Sequence, residues 1–270
     1  MRLFPPMNPP INHWQDQRVW IIGATRGIGA ALARELASCG AQLQLSGRQC
    51  QPLDDWLDQQ SPSQRQRIRI SRLDIRDEMA IRRDAEALME YWGSIDLVIV
   101  AAGIYDGQSA AHLDLDHLPL LADTLATNLM GPYRVAAALL PLLRQQGRGH
   151  LAFISSVAGY NGLPQALAYA PSKAALNNLC EGLYLELRPQ RIAITRICPG
   201  FVATDMTASV GIRMPALMQP HEAARAIRKG LEHGDFEIHF PHHFTYGLKF
   251  LQWLPRRLYF RLLNWAISRG

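Results

Sequence analysis

Arg18-Val19-Trp20-Ile21-Ile22-Gly23-Ala24-Thr25-Arg26-Gly27-Ile28-Gly29 opens the readable part of the chain, and Ala30 to Ala37 continue it with helical periodicity. Val19 to Ile22 form a short apolar, β-branched run that reads as a buried strand. The glycines at 23, 27 and 29 stand where the chain must turn sharply, approach a ligand with its bare backbone, and pack a helix closely on a strand. The helix that follows aims its free N–H groups back at that turn, which is a place for an anion such as a pyrophosphate.

Working outward, short apolar runs alternate with longer amphipathic stretches. Strands are predicted at 42–46, 67–71, 95–101, 151–155, 192–197 and 236–240, and helices at 77–91, 169–187 and 222–231. Ile95 to Ala101 is apolar throughout, as a strand covered on both faces should be. This alternation predicts an α/β fold, a doubly wound parallel sheet of the Rossmann type in one domain. The expected division is an N-terminal extension at 1–17, a dinucleotide-binding and catalytic domain at 18–240, and a helical tail at 241–270.

Composition narrows the function. The 270 residues are 48% hydrophobic and 19% charged, so a sizeable core is expected and disorder is not. A net charge of +5 is mild and far from the clustered excess of a dedicated nucleic-acid binder. Cys39, Cys50, Cys180 and Cys198 lie far apart and read as free thiols of a reducing compartment. Pro5, Pro6, Pro9 and Pro10 interrupt any signal-peptide core, so a cytoplasmic protein is expected. His239 is parted from His242 and His243 by Pro241, which breaks any helix, and no metal is expected there.

Tyr169 and Lys173 are four residues apart inside a predicted helix, hence one turn apart on one face. An ammonium beside a phenol favours the phenolate and makes the hydroxyl a usable proton donor and acceptor. The chain holds only three lysines among 28 basic residues, so a chance YxxxK pair is expected about 0.09 times. Lysine where this chain otherwise prefers arginine is informative, because a compact charge reaches two hydroxyls in a way a guanidinium does not.

With these motifs in order, the chain resembles the short-chain dehydrogenase/reductase family of the single-domain type, over about residues 18–240. Ile154-Ser155-Ser156-Val157-Ala158-Gly159 is similar to the family's segment after the fifth strand. Ser156 lies 13 residues before Tyr169, the family's usual interval. The resemblance implies a catalytic set of Asn128, Ser156, Tyr169 and Lys173, with Asn128 holding a water that links the lysine to solvent. It implies cofactor contacts from Gly23, Thr25, Arg26, Gly27, Ile28, Gly29, Arg48, Asp74, Ala102 and Gly103, and from Tyr169, Lys173, Pro199, Gly200, Val202 and Thr204. Two positions depart from the family pattern: Ile22 replaces a threonine, and Val100-Ala101-Ala102-Gly103 replaces Asn-Asn-Ala-Gly, which touches local bracing and leaves the catalytic positions filled.

NAD-preferring members resemble one another in an acid at the end of the second strand. Here Gly47 and Arg48 stand there and Arg26 lies in the glycine loop, so NADP(H) is the expected cofactor, its 2′-phosphate facing two guanidiniums. The expected reaction is hydride transfer between the nicotinamide and a carbonyl or alcohol carbon. The alternative is a catalytically idle dinucleotide-binding protein of the same fold. Met206, Val210, Ile212, Met214, Leu217 and Met218 read either as an apolar lid over a lipophilic substrate or as simple packing.

No Asp or Glu follows Glu237, whereas Lys249, Arg256, Arg257, Arg261 and Arg269 do. Residues 244–267 combine the first four of these cations with Phe250, Leu251, Trp253, Leu254, Leu258, Phe260, Leu262, Leu263 and Trp265. They read as a basic amphipathic helix pair, peripheral at an anionic membrane surface, or as a tail folded over its own subunit or a partner's. The resemblance further implies a homodimer or homotetramer paired through the helices containing 135–143 and 176–187.

Overall fold

The computed structural model describes residues 5–208 and 214–267. Its strands are β1 (Arg18–Ile22), β2 (Gln42–Gly47), β3 (Ile68–Arg72), β4 (Leu97–Val100), β5 (Gly149–Ile154), β6 (Ile192–Pro199) and β7 (Glu237–Phe240). The helices are α1 (Gly27–Ser38), α2 (Gln51–Leu57), α3 (Pro62–Arg65), α4 (Glu78–Trp92), α5 (Leu118–Leu125), α6 (Gly131–Gln146), α7 (Tyr169–Leu187), α8 (Asp205–Ala208), α9 (Pro220–Glu232), α10 (His242–Gln252) and α11 (Arg256–Ile267).

All seven strands are parallel, in the order β3-β2-β1-β4-β5-β6-β7. The doubly wound sheet expected from the sequence is therefore present. The chain winds outward from β1 to β3, then returns across to β4 and winds the other way. That reversal lies between β1 and β4, whose carboxyl ends open a crevice where ligands bind in sheets of this type.

The sheet is apolar on both faces because helices cover both. One face buries Val19, Ile21, Leu43, Leu45, Leu97 and Ile99 against α1 and α9. The other buries Trp20, Ile22, Val98, Val100, Leu151 and Phe153 against α4, α6 and α7. Period-two alternation thus sends neighbouring residues of β1 into two different cores. Truncating any of these Ile or Leu side chains to alanine costs about 2–5 kcal/mol. Trp20 keeps its polar edge satisfied by donating to Ser46 Oγ at 2.8 Å.

The N-terminal segment is tied across the opposite end of the sheet. Asn8 Nδ2 donates to Ile194 O at 2.8 Å, Trp14 Nε1 to Glu232 at 2.8 Å, and Tyr184 OH to Met7 O at 3.0 Å. Among the lid residues named from the sequence, Val210 and Ile212 lie outside the described residues, as does Arg269 of the tail.

Candidate active site

The glycine turn after β1 is shaped by contacts that no side chain tolerates. Gly23 has φ +91, and a Cβ there would sit 2.5 Å from Ala102 N, while a Cβ on Gly29 would sit 2.1 Å from Gly23 O. Helix α1 begins at Gly27 behind Arg26, an extended N-cap whose side chain makes no capping bond, so the first N–H groups face outward. Backbone donors and the positive end of the helix dipole are thereby presented to the crevice.

That crevice is a cleft of about 850 Å³, within the range of small-molecule and cofactor sites. Gly23, Thr25, Arg26, Gly27, Ile28, Gly29, Arg48, Asp74, Ala102, Gly103, Pro199, Gly200, Val202 and Thr204 line it, as do Ser156, Tyr169 and Lys173. Of the residues that the resemblance assigns to catalysis or cofactor contact, only Asn128 is not on its wall. An extended cleft with a side-chain-free phosphate cradle at one end and a Ser–Tyr–Lys group at the other fits a dinucleotide.

Tyr169 and Lys173 occupy the first turns of α7. Lys173 is 4% exposed, and its Nζ donates to Ile154 O at 2.9 Å. It stands 5.6 Å from the centre of the Tyr169 ring. Burial pushes the amine down to about 8 and the Tyr169 phenol up to about 12, against the lowering effect of its hydrogen bond with Ser156. The expectation that the ammonium lowers the phenol is thus corrected for this structure. The Nζ is engaged with the Ile154 carbonyl, and desolvation of the phenol dominates. The Tyr105 ring meets Tyr169 edge-on at 5.1 Å and contributes to its low-dielectric surroundings.

The two adjacent serines separate cleanly. Ser155 Oγ donates to Lys173 O at 3.2 Å, behind the site. Ser156 Oγ accepts from Ala158 N at 3.0 Å and lies beside the Tyr169 hydroxyl.

Asn128 sits in a π-helical turn, Ala126–Met130, between α5 and α6, a distortion common at functional sites. Its Nδ2 donates to Ile104 O at 2.8 Å and Ser172 Oγ at 3.3 Å, and its Oδ1 accepts from Ile104 N at 2.8 Å. The amide therefore braces the chain leaving β4 against α7.

Asp74 is on the wall but also bound to its own neighbour. Burial raises its carboxyl, yet the Arg76 N–H at 2.9 Å and the Arg76 guanidinium at 3.3 Å outweigh that and leave it lowered.

Sequence reasoning missed Arg72. It ends β3, pairs in register with Gly47 and lines the cleft with Arg48, so three guanidiniums rather than two stand on its wall. The signal was a cation at a strand's carboxyl end, but it needed the β2–β3 register. Asp205 was also missed. It lines the cleft from α8, with its carboxylate 4.0 Å from Arg26.

Of the histidines at 239, 242 and 243, His239 has its Nδ1 2.6 Å from Thr245 Oγ1, and its ring packs on His242 and Tyr246. Among the described residues, no cluster of three or more side chains fit to hold a metal exists. No helix there is long and apolar enough to cross a membrane.

The sequence matches the short chain dehydrogenase family over residues 17–214. An uncharacterized oxidoreductase of Myxococcus xanthus is 32% identical over 243 residues, covering 88% of this chain and 93% of the relative. A short chain dehydrogenase from Burkholderia cenocepacia, solved in complex with NADP, is 25% identical with a TM-score of 0.79, covering 93% of this chain and 99% of that one. A short chain dehydrogenase/reductase from Burkholderia phymatum, solved in complex with NAD, is 22% identical with a TM-score of 0.75 over 87% and 92%, and shares the fold. With the motif residues gathered on one cleft and the family match spanning most of the domain that carries it, the chain belongs to the short-chain dehydrogenase/reductase family of oxidoreductases, whose fold binds a nicotinamide dinucleotide.

Proposed function

We propose that the protein is an NADP(H)-dependent oxidoreductase acting on a carbonyl or alcohol group, with an apolar substrate. One observation carries this reading: Ser156, Tyr169 and Lys173 converge on the wall of the cleft that also holds the glycine cradle. When bound, the nicotinamide supplies or accepts the hydride at the substrate carbon. Ser156 Oγ donates a hydrogen bond to the substrate oxygen, and Tyr169 OH gives that oxygen its proton in reduction or takes it in oxidation. Lys173, charged at neutral pH, holds the ribose and refills the proton path. Asn128 keeps the turn after β4, and with it the lysine's surroundings, in place, with a water beside it as the relay to solvent. Arg26, Arg48 and Arg72 favour a 2′-phosphate, and an NADP-bound relative of the same fold supports that choice.

The division into an extension at 1–17, a catalytic domain at 18–240 and a tail at 241–270 belongs to this proposal, as does a homodimer or homotetramer paired through α6 and α7. So does attachment of the tail to an anionic membrane surface. Tyr246 and Phe250 on α10 and Trp253 just after its end, at i, i+4 and i+7, are all exposed, Trp253 at 86%. Leu258, Leu262 and Trp265 repeat that spacing along α11, where Arg257 and Arg261 are exposed on the neighbouring face. Cations without acids on the same stretch complement anionic lipid headgroups.

The test follows nicotinamide absorbance with NADPH and, separately, NADH, against 2-alkanones and n-alkanals of rising chain length. Turnover with NADPH that disappears in Tyr169→Phe is expected, with rates rising with chain length. Tight NADPH binding without turnover of any probe would favour the idle binding protein.

A further inference from the structure

Residues 160–168 join the turn of Ser156 to Tyr169; none of them lines the cleft itself, and they form the wall segment that sets how the two groups proposed to face the substrate oxygen stand to each other. Their second half is pinned from the chain after β4. Tyr105 OH donates to Gln165 O at 3.0 Å, Gln108 N to the same carbonyl at 3.1 Å, and Ala168 N to Gln108 Oε1 at 3.1 Å.

The first half is pinned by the tail. Gln252 Nε2 donates to Tyr160 O at 2.8 Å, Arg256 Nη1 to Asn161 Oδ1 at 3.1 Å, and Tyr259 OH to Gly162 O at 3.0 Å. Three consecutive wall residues thus each receive one donor from α10 or α11. Beneath them the Tyr160 hydroxyl donates to Glu237, whose other oxygen is 2.8 Å from Lys249 Nζ and 3.2 Å from Arg196. Lys249 and Gln252 are one turn apart on α10, and Arg256 and Tyr259 one turn apart on α11, so each helix turns one inner face to these contacts. Tyr259 is 3% exposed, in contrast to the aromatic outer face.

These contacts span about ninety residues of sequence, and the tail that makes them lies beyond the family match, which ends at 214. Tyr160 N closes the Ser156 turn on Val157 O, whereas the carbonyls of Tyr160 and Gly162 depend on tail side chains. A Cβ on Gly159 would meet Lys173 O at 2.7 Å, so the turn is seated directly on α7, and a shift of the wall is felt beside the catalytic lysine.

We propose that the tail is a clamp that sets the substrate side of the active site by holding residues 160–162, with Lys249, Gln252, Arg256 and Tyr259 as positioning residues. This rests on the reading of Ser156 and Tyr169 as the groups facing the substrate. The clamp acts on the wall and leaves the glycine cradle untouched, so it governs substrate affinity and not dinucleotide affinity.

The experiment uses the full chain and the variants Lys249→Met, Tyr259→Phe and Gln252→Ala/Arg256→Ala, with Arg256→Lys as the variant that keeps a donor. Hydrogen exchange of the peptide spanning 157–168, in protein without added ligand, is expected to quicken about fivefold for each hydrogen bond removed. In steady state, KM for the 2-alkanone turned over best is expected to rise about fivefold or more, with Kd for NADPH within about twofold of wild type and near recovery in Arg256→Lys. Unchanged exchange in 157–168 would overturn the clamp, and so would faster exchange with an unchanged KM. Wild-type protein that turns over no probe would instead sink the reductase reading, leaving exchange to decide whether the tail holds the wall.

Discussion

Lys173 Nζ donates to Ile154 O and stands 5.6 Å from the centre of the Tyr169 ring. Helical spacing puts the two side chains on one face, and packing then decides that the ammonium is anchored on β5, leaving the phenol hydroxyl to Ser156.

The consequence for stability has a definite sign. Burial lowers Lys173 to about 8 from 10.5, so between these values the unfolded chain holds a proton that the folded protein has released. Stability from this group therefore rises with pH across that window. Tyr169, raised to about 12 from 10.0, acts oppositely above 10. In urea denaturation, wild type is expected to gain on Lys173→Met between pH 8 and 10, with no pH-dependent difference below 8 arising from this residue. A difference independent of pH would contradict the buried-amine assignment.

Arg26, Arg48 and Arg72 line the cleft, and the proposed function gives them the 2′-phosphate of the adenosine. A charge-assisted contact to a 2′-phosphate is worth about 1.5–3 kcal/mol, so Arg48→Ala should weaken NADPH binding roughly tenfold or more and leave NADH within about twofold. Isothermal titration with both cofactors reads the ratio directly. Equal losses for the two would assign the guanidiniums to general attraction.

Gly29→Ala places a methyl 2.1 Å from Gly23 O, a backbone atom that cannot give way without opening the turn. Loss of dinucleotide binding by at least about tenfold is expected, together with a lower melting temperature. Gly93→Ala, where φ is +74 but a Cβ meets nothing within 4 Å, is the contrast. It should cost stability through αL strain of about 1–2 kcal/mol and leave cofactor affinity alone.

The outer tail predicts vesicle binding. Sedimentation with phosphatidylglycerol vesicles should carry down wild type, while phosphatidylcholine vesicles should not. Phe250→Ser/Trp253→Ser should lower that partition roughly tenfold or more, since each buried ring is worth about 1.5–3 kcal/mol. Arg257→Glu/Arg261→Glu should remove the lipid-charge preference. Equal sedimentation with both lipids would assign the aromatic face to another copy of the chain.

Much of this protein is legible in one dimension because its signals are local. The Ile95 to Ala101 run announced a central strand, although pairing trims it to Leu97–Val100, since only residues with partners on β1 and β5 join the ladder. The helix read as 169–187 has those bounds in the structure, because its start is set by the Tyr169 turn and its end by Arg188-Pro189. The glycine loop was readable because steric exclusion acts within a few residues, as at Gly23 and Gly29.

The sequence by itself determined the alternation that makes a doubly wound sheet, the turn that bares its backbone at the end of β1, and the tyrosine and lysine that share a helix face. Each rests on periodicity or on backbone sterics, which neighbours along the chain supply. Only the tertiary structure decided that Arg72 joins Arg48, that Asn128 spends its amide on Ile104 and Ser172, that burial raises Tyr169, and that Tyr259 reaches Gly162. Those facts depend on strand register, desolvation and contacts between segments far apart in the chain, which no local pattern encodes.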